Sequence, residues 1–333
     1  MLRNYFRIAI RSFINQKYYS LINTLGLALG TAACILILLF VEDELSYEKG
    51  FRNNQQIYRL VEDFPMGTHL SQSATVPFPT RNTLMTDFPE ITNAALIYRP
   101  SSWGQTPVIK LSDQEYYEDN FIYAEHNFLD IYGFKFLKGD PKKALNGPNE
   151  LIVTASTAKK YFGDESPVGK TLNMNGDEYK ITGLMADVPE NSHIRFNMLV
   201  SFRTWSDKVD QPIKNMWFWN GFHTYLLLKE GTDVKALEAK LPKFVNKYVG
   251  ANLNKGNSGD KHVITLMPLT DIHLHSQLNG ELEPNGSIVY VYLFSTIAFL
   301  ILGIACINFM NLSTARFGSR AREVGIRKVM GSL

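Results

Sequence analysis

Only two of the 333 residues are cysteine, which excludes a disulfide-braced scaffold and a four-cysteine zinc site. A surplus of one charge is also missing, since 34 Lys+Arg stand against 32 Asp+Glu for a net charge of +2. That balance excludes a nucleic-acid binder working by bulk basicity. Low complexity is absent too. With 45% hydrophobic and 20% charged residues the chain is no disordered tail or collagen-like fibre. No G-x-S-x-G, H-E-x-x-H or glycine-rich dinucleotide turn occurs. The most informative absence is local: residues 18–41 and 284–315 contain no charge at all.

Each uncharged stretch is long enough to cross a bilayer. A helix over the 24 residues 18–41 spans about 36 Å, and a hydrocarbon core is about 30 Å thick. A cleaved signal peptide would carry an apolar run of about 7–15 residues and an A-x-A-like exit. This run is longer and leads into Glu42-Asp43-Glu44. Thr31-Ala32-Ala33-Cys34 superficially resembles a lipoprotein site, but Cys34 sits in mid-run. The second stretch has its apolar centre at 288–312, with Tyr290 and Tyr292 suited to the headgroup boundary. Gly26 and Gly30 give a G-x-x-x-G spacing that permits close helix packing in lipid.

The flanks set the orientation. Residues 1–17 carry +4 and residues 316–333 carry +4, so the middle carries −6. The positive-inside bias places both termini in the cytoplasm. The expected organisation is an interfacial amphipathic helix (1–17), a first transmembrane helix (18–41), an extracytoplasmic domain (42–286), a second transmembrane helix (287–312) and a cytoplasmic segment (313–333). Within the first of these, Arg3, Arg7 and Arg11 stripe residues 2–14 opposite aromatics. That pattern suits a helix lying on membrane lipids, and also a short helix packed on a partner.

The outer region mixes strand and helix patterns, which predicts an α+β domain with two lobes. Residues 56–61, 95–98, 151–154, 178–184, 224–228 and 263–267 read as strands. Asn175-Gly176 marks a two-residue hairpin. Residues 156–162 read as a helix capped by Ser156 and ended by Gly163, and residues 128–132 as one ended by Gly133. A longer helix is expected over 233–248, and a loop over 252–261.

Chemical motifs are few. Gly163…Gly169-Lys170-Thr171 is one residue too long for a phosphate-binding loop and leads into a strand pattern. His273 and His275 would share one face of a strand, and His193 lies elsewhere; structural or solvated histidines fit better than a metal site. Glu115, Glu118 and Asp119 show no catalytic spacing. No enzyme is expected.

Several blocks together resemble the MacB/FtsX-type ABC-transporter permeases along essentially the whole chain. They are Leu2-Arg3-Asn4-Tyr5-Phe6-Arg7, Tyr47-Glu48-Lys49-Gly50-Phe51, Gln56-Ile57-Tyr58-Arg59-Leu60 and Asp87-Phe88-Pro89-Glu90-Ile91. Further blocks are Ser156-Thr157-Ala158-Lys159-Lys160-Tyr161-Phe162-Gly163, Pro167-Val168-Gly169-Lys170 and Asp187-Val188-Pro189-Glu190-Asn191-Ser192-His193. The most specific is Asn308–Arg316 with Arg320–Gly331, which is similar to the family's segment of form R-A-x-E-V-G-I-R-K-x-x-G.

The resemblance implies a bacterial inner-membrane permease subunit with a periplasmic domain between its first two helices. It implies a separate cytoplasmic ATPase as partner, which binds the ATP, and a permease dimer or pseudo-dimer. Arg320, Arg322, Glu323, Gly325, Ile326, Arg327 and Lys328 would couple to that ATPase. Cargo would be a drug, peptide or lipoprotein-like substrate, with a periplasmic or outer-membrane partner. Such permeases carry two further helices, whereas this chain stops at Leu333, so it is expected to be a fragment. Topology alone leaves open a two-span sensor with an extracytoplasmic ligand-binding domain.

Overall fold

A computed structural model describes residues 17–66, 69–111, 114–250 and 262–331. The expected helix over 2–14 and the expected loop over 252–261 lie outside the described residues. The chain begins with α1 (Lys17–Ser46), followed by β1 (Ile57–Met66), β2 (His69–Ser73), β3 (Val76–Pro77), α2 (Thr80–Asp87) and β4 (Ile91–Tyr98). Next come β5 (Val108–Leu111), β6 (Gln114–Tyr117), β7 (Phe121–Ala124), α3 (Asn127–Tyr132), β8 (Phe136–Gly139), β9 (Glu150–Thr154) and α4 (Ala155–Phe162). Then follow β10 (Thr171–Met174), β11 (Asp177–Met185), β12 (Met198–Ser201), α5 (Phe202–Ser206), α6 (Gln211–Lys214) and β13 (Asn220–Leu228). The chain closes with α7 (Val234–Glu238), α8 (Leu241–Val245), β14 (Val263–Pro268), α9 (Ile272–His275) and α10 (Ile288–Val329).

Two compact units result. One comprises residues up to Leu45 together with those from Ser287 onward; the other is Ser46–Gly286.

The first unit is a pair of helices. Thr24–Ser46 and Ile288–Asn311 are each long and apolar enough to cross a membrane. Their outward side chains are exposed, as Leu29 (70%) and Phe299 (76%) show. A soluble core helix would bury such residues, so lipid is their natural solvent. The helices run antiparallel along one seam. A methyl group added at Gly30 would sit 3.2 Å from Ala305 Cβ, and one at Gly26 3.7 Å from Asn308 Nδ2. Further along, the Cys34 thiol donates to the Ala298 carbonyl at 3.3 Å, and Phe40 meets Phe294 edge to face. Cys306 is exposed. The first helix continues past Val41 through Glu42-Asp43-Glu44 to Ser46.

The second unit is built on one continuous hydrogen-bonded path, β14-β1-β13-β4-β7-β12-β9-β11-β10-β5-β6. β2, β3 and β8 attach at its sides, to β1, β13 and β11. Pairing is antiparallel except at β7–β12 and β9–β11. The central strands β4, β12 and β13 are buried almost throughout, because both sheet faces are covered. The expected lobes take the form of separate cores along this one sheet. One packs Phe128, Ile131 and Tyr132 of α3 under Ile57, Ile97 and Tyr225. A second sets Leu237, Leu241 and Phe244 against Leu60, Leu226 and Leu266. A third, at the β9–β11 end, holds Leu151, Val153, Tyr161 and Ile181.

All six expected strands are present, most of them longer than the patterns implied. Asn175 (φ 53°) and Gly176 (φ 91°) form the β10–β11 turn. Asn175 Oδ1 also accepts from Val108 N at 2.8 Å, which ties β5 to the hairpin.

Three local expectations need correction. The helix at 155–162 is not capped by Ser156: Thr154 holds that position, and its side chain makes no cap hydrogen bond. Instead Asp187, distant in sequence, accepts from Ser156 N at 2.9 Å and from Ser156 Oγ at 2.7 Å. The helix expected over 233–248 starts correctly, with Asp233 accepting from Ala236 N at 3.1 Å. It is then split into α7 and α8, with Pro242 in the first turn of α8, and ends in a wide turn over Asn246–Gly250. Proline suits a first turn but cannot supply the N–H that a continuous helix needs there. Finally, His273 and His275 lie on α9 and not on a strand, so they point about 200° apart. His273 is buried and stacks on Tyr47, while His275 is exposed.

Two predictions follow from these contacts. Gly139 (φ 96°) pairs with Gly183, and a Cβ on Gly139 would lie 2.6 Å from the Thr182 carbonyl oxygen. Gly139→Ala should therefore cost about 2–3 kcal/mol of stability, read by thermal unfolding. The second concerns Asp187. Its burial works against ionisation, and the Ser156 hydrogen bonds more than offset this, holding its carboxyl below the usual Asp range. A depressed carboxyl stabilises above its unfolded pKa and loses that contribution as pH falls through the folded value. Asp187→Asn should cost about 1 kcal/mol at neutral pH and flatten the acid limb of the stability profile. Urea unfolding at several pH values checks both effects.

Candidate functional site

The domain Ser46–Gly286 begins where α1 ends and finishes just before α10 starts. Both of its ends are fastened by buried polar groups, and these fastenings form the candidate site.

The first fastening starts at Ser46. Asn191 Nδ2 donates to Ser46 Oγ at 2.9 Å, and Glu48 N donates to the Asn191 carbonyl at 3.0 Å. Glu48 is buried and has φ 63°, a left-handed conformation that few side-chain-bearing residues adopt. Its carboxylate accepts from His193 N, from His193 Nδ1 at 2.8 Å and from Ser192 Oγ at 3.3 Å. Those bonds satisfy the buried charge and hold the unusual backbone. On the other side of the ring, His193 Nε2 shares a hydrogen bond with the Tyr225 hydroxyl at 2.8 Å. Burial pushes the Tyr225 phenol above its usual range, so it keeps its proton.

The second fastening holds the strap of residues 276–286. Arg59 on β1 is fully buried and grips Glu281 with both ends of its fork, Nη1–Oε2 at 2.6 Å and Nη2–Oε1 at 2.8 Å. Nη2 also donates to Ser276 Oγ at 2.8 Å. A bidentate guanidinium–carboxylate pair fixes direction as well as distance. Arg99, just beyond β4, donates to Glu283 Oε1 at 2.8 Å and to the carbonyls of Leu282 and Arg195. Asn285 Nδ2 closes the strap on the Ser276 carbonyl at 2.9 Å.

The two fastenings meet on the sheet. Arg59 and Tyr225 are cross-strand partners in the β1–β13 ladder. Directly opposed residues of an antiparallel pair project from the same face. A polar line therefore runs from Glu48 through His193 and Tyr225 to Arg59 and Glu281. His223 lies nearby on β13. Its burial, then the Arg59 and Arg99 charges, hold its imidazole well below the usual histidine range.

The sequence blocks Tyr47…Phe51, Gln56…Leu60 and Asp187…His193 stand out in the chain, and the fold brings them together here. Glu281, Glu283 and Arg99 belong to none of those blocks. Their only sequence signal is two acids just ahead of an uncharged stretch.

The residues expected to couple to an ATPase lie elsewhere. Arg320, Arg322, Glu323, Gly325, Ile326, Arg327 and Lys328 all fall on α10, which runs unbroken from Ile288 to Val329. Its 42 residues span about 63 Å, well beyond a bilayer core. Gly325 and Ile326 are exposed, as are Val329 and Met330. The side chains of Arg320, Arg322, Glu323, Arg327 and Lys328 lie outside the described residues. The glycine-spaced stretch ending at Thr171 runs into β10, and among the described residues no cluster of three His, Cys, Asp or Glu has metal-holding geometry.

A family model described as MacB-like periplasmic core domain matches residues 20–244. The "Macrolide export ATP-binding/permease protein MacB" of Aggregatibacter actinomycetemcomitans is 19% identical over 98% of this chain and 48% of its own length. The chain thus spans about half of that relative. Among solved structures, a domain of a protein described as a permease, from Porphyromonas gingivalis, superposes with a TM-score of 0.56. It is 21% identical and covers 66% of this chain and 91% of its own, a likeness of fold. The periplasmic region of MacB from Actinobacillus actinomycetemcomitans gives a TM-score of 0.46 at 14% identity, covering 67% and 92%.

The strap fastening makes a direct prediction. Arg59→Met strands the Glu281 carboxylate and should cost about 3–5 kcal/mol, read by near-UV circular dichroism during thermal unfolding. The double variant Arg59→Met/Glu281→Met should recover most of that loss. An equal loss in both would show that shape, and not charge pairing, holds the strap.

Proposed function

Because the chain belongs to the MacB-like periplasmic core domain family, we propose that it is the permease subunit of an ABC transporter whose ATP hydrolysis occurs on a partner chain. Two membrane-spanning helices flank a large mixed α/β domain. In this reading they sit in a bacterial inner membrane, with both termini cytoplasmic and Ser46–Gly286 periplasmic. The positive flanks of the two apolar stretches support that orientation.

The observation that carries the reading is the unbroken α10. Each of its residues adds a backbone hydrogen bond to the last, so the helix transmits displacement along its axis. Its inner end carries the segment Arg320 to Lys328, where the ATPase would bind. Its outer end is preceded by the strap that Arg59 and Arg99 tie to the sheet. A push at the inner end is thereby delivered to the strap. The cargo in this reading is a drug, peptide or lipoprotein-like molecule, moved by the periplasmic domain. A second permease copy or pseudo-repeat, and a periplasmic or outer-membrane partner, complete the assembly.

Co-purification tests the coupling segment. Arg327→Glu/Lys328→Glu in the complete protein should lower retention of the cognate ATPase about tenfold, with the periplasmic circular-dichroism signal unchanged. Undiminished retention would place the ATPase contact elsewhere.

A further inference from the structure

Beside the strap lies a cavity of about 250 Å³ that the coupling mechanism does not use. Strand β13 contributes His223, β2 and the residues after it contribute Ser73 and Thr75, and the turn Pro100–Trp103 contributes Ser102 and Trp103. The strap itself closes the remaining side with Asn279 and Gly280. Its wall is well tied: Ala74 N donates to the Asn279 carbonyl, and Asn279 N donates to the Gln72 carbonyl, each at 2.9 Å. Arg99 pins the turn to the strap through Glu283, so the same ion pair that holds the strap shapes the cavity. Gly280 has φ 77°, and a Cβ there would approach Thr75.

The lining chemistry is selective. Among the described residues, no Asp, Glu, Lys or Arg side chain lines the cavity. The arginines behind it, Arg59 and Arg99, are already neutralised by Glu281 and Glu283. What the walls offer is hydroxyls, amides and one neutral imidazole. Ser73 Oγ and Thr75 Oγ1 already share a hydrogen bond at 2.8 Å, and Thr75 Oγ1 donates to the Asn220 carbonyl at 3.3 Å, so these two present lone pairs to a ligand's donors while Ser102 can both donate and accept. His223 is 3% exposed, and its Nδ1 has no hydrogen-bond partner among the described residues. A buried polar atom left open in this way costs free energy until something bonds it. At the rim, the Trp103 indole is 54% exposed. An exposed indole offers an apolar plate next to neutral hydrogen-bonding groups. The volume lies below the range for drug-sized ligands and suits one ring.

We propose that this cavity binds a single neutral pyranose ring, with the sugar's C–H face on Trp103 and its hydroxyls on the Ser, Thr, Asn and His223 groups. A pyranose presents an apolar C–H face and a rim of hydroxyls that donate and accept, which matches this lining. Because Asn279 and Gly280 immediately precede Glu281, a bound ring touches the strap and steadies it. The site stands apart from the ATPase-coupling reading, and either can fail alone.

The test uses the full chain in nanodiscs of phosphatidylethanolamine and phosphatidylglycerol, free of glycolipid and glycosidic detergent. Saturation-transfer NMR is run with methyl β-glucopyranoside and N-acetylglucosamine, and with glucuronate as the anionic counterpart. The neutral sugars should show transfer and slow amide exchange in residues 276–286. Trp103→Ala should weaken binding about tenfold, and Trp103→Phe should keep it within about threefold. Trp103 is a surface residue on a turn, so neither variant threatens the fold. Absence of transfer from both neutral sugars, equal binding of glucuronate, or indifference to Trp103→Ala would each overturn the assignment.

Discussion

The domain depends on a buried guanidinium. Arg59 has no access to water, so the fold tolerates its charge there only while a carboxylate faces it. That carboxylate belongs to Glu281, 222 residues further along the chain. The strap is therefore committed to one place on the sheet, because leaving would strand the buried Arg59 guanidinium without a carboxylate. Across the ladder, Tyr225 performs the matching task for the other end of the domain through His193 and Glu48. Neighbouring residues on adjacent strands thus locate both points where the chain enters and leaves the domain. Hydrophobic burial supplies most of the stability, but it is non-directional and would tolerate a shifted strap. The ion pair does not.

The helical unit follows different physics. With lipid as solvent, the apolar faces of α1 and α10 need no protein cover, and their contact reduces to close packing along the Gly30–Ala305 seam. The length of α10 matters more than its packing. It leaves the apolar span near Asn311 and continues as helix to Val329. A hinge there would absorb motion, whereas in the proposed coupling the unbroken helix would convey it.

Much of the fold was legible in the chain, and the reasons for the lapses are specific. Strands such as β11 alternate, and strands such as β9 are continuous apolar runs, and both patterns mark themselves. Asn175-Gly176 marks itself too, because few other pairs accept positive φ at both positions. The apolar periodicity over 233–248 predicts one helix, but Pro242 in the first turn of α8 divides it. The Ser156 cap failed because the true acceptor, Asp187, is 31 residues away. The i, i+2 spacing of His273 and His275 suits a strand face but carries no information about the element it sits on, and in the fold both lie on α9. For the site, Glu48, Arg59 and His193 lay inside recognisable blocks, but nothing local indicated that they share one network.

Local composition along the chain is enough to predict the two apolar helices, their orientation bias and the α+β character of what lies between. Those properties arise from local composition: charge, apolar run length and period. Which carboxylate meets Arg59, which loop holds Glu48, and the cavity beside the strap were decided by tertiary structure alone. Burial turns a distant charge from a solvated side chain into an obligatory partner, and burial is a property of the folded chain.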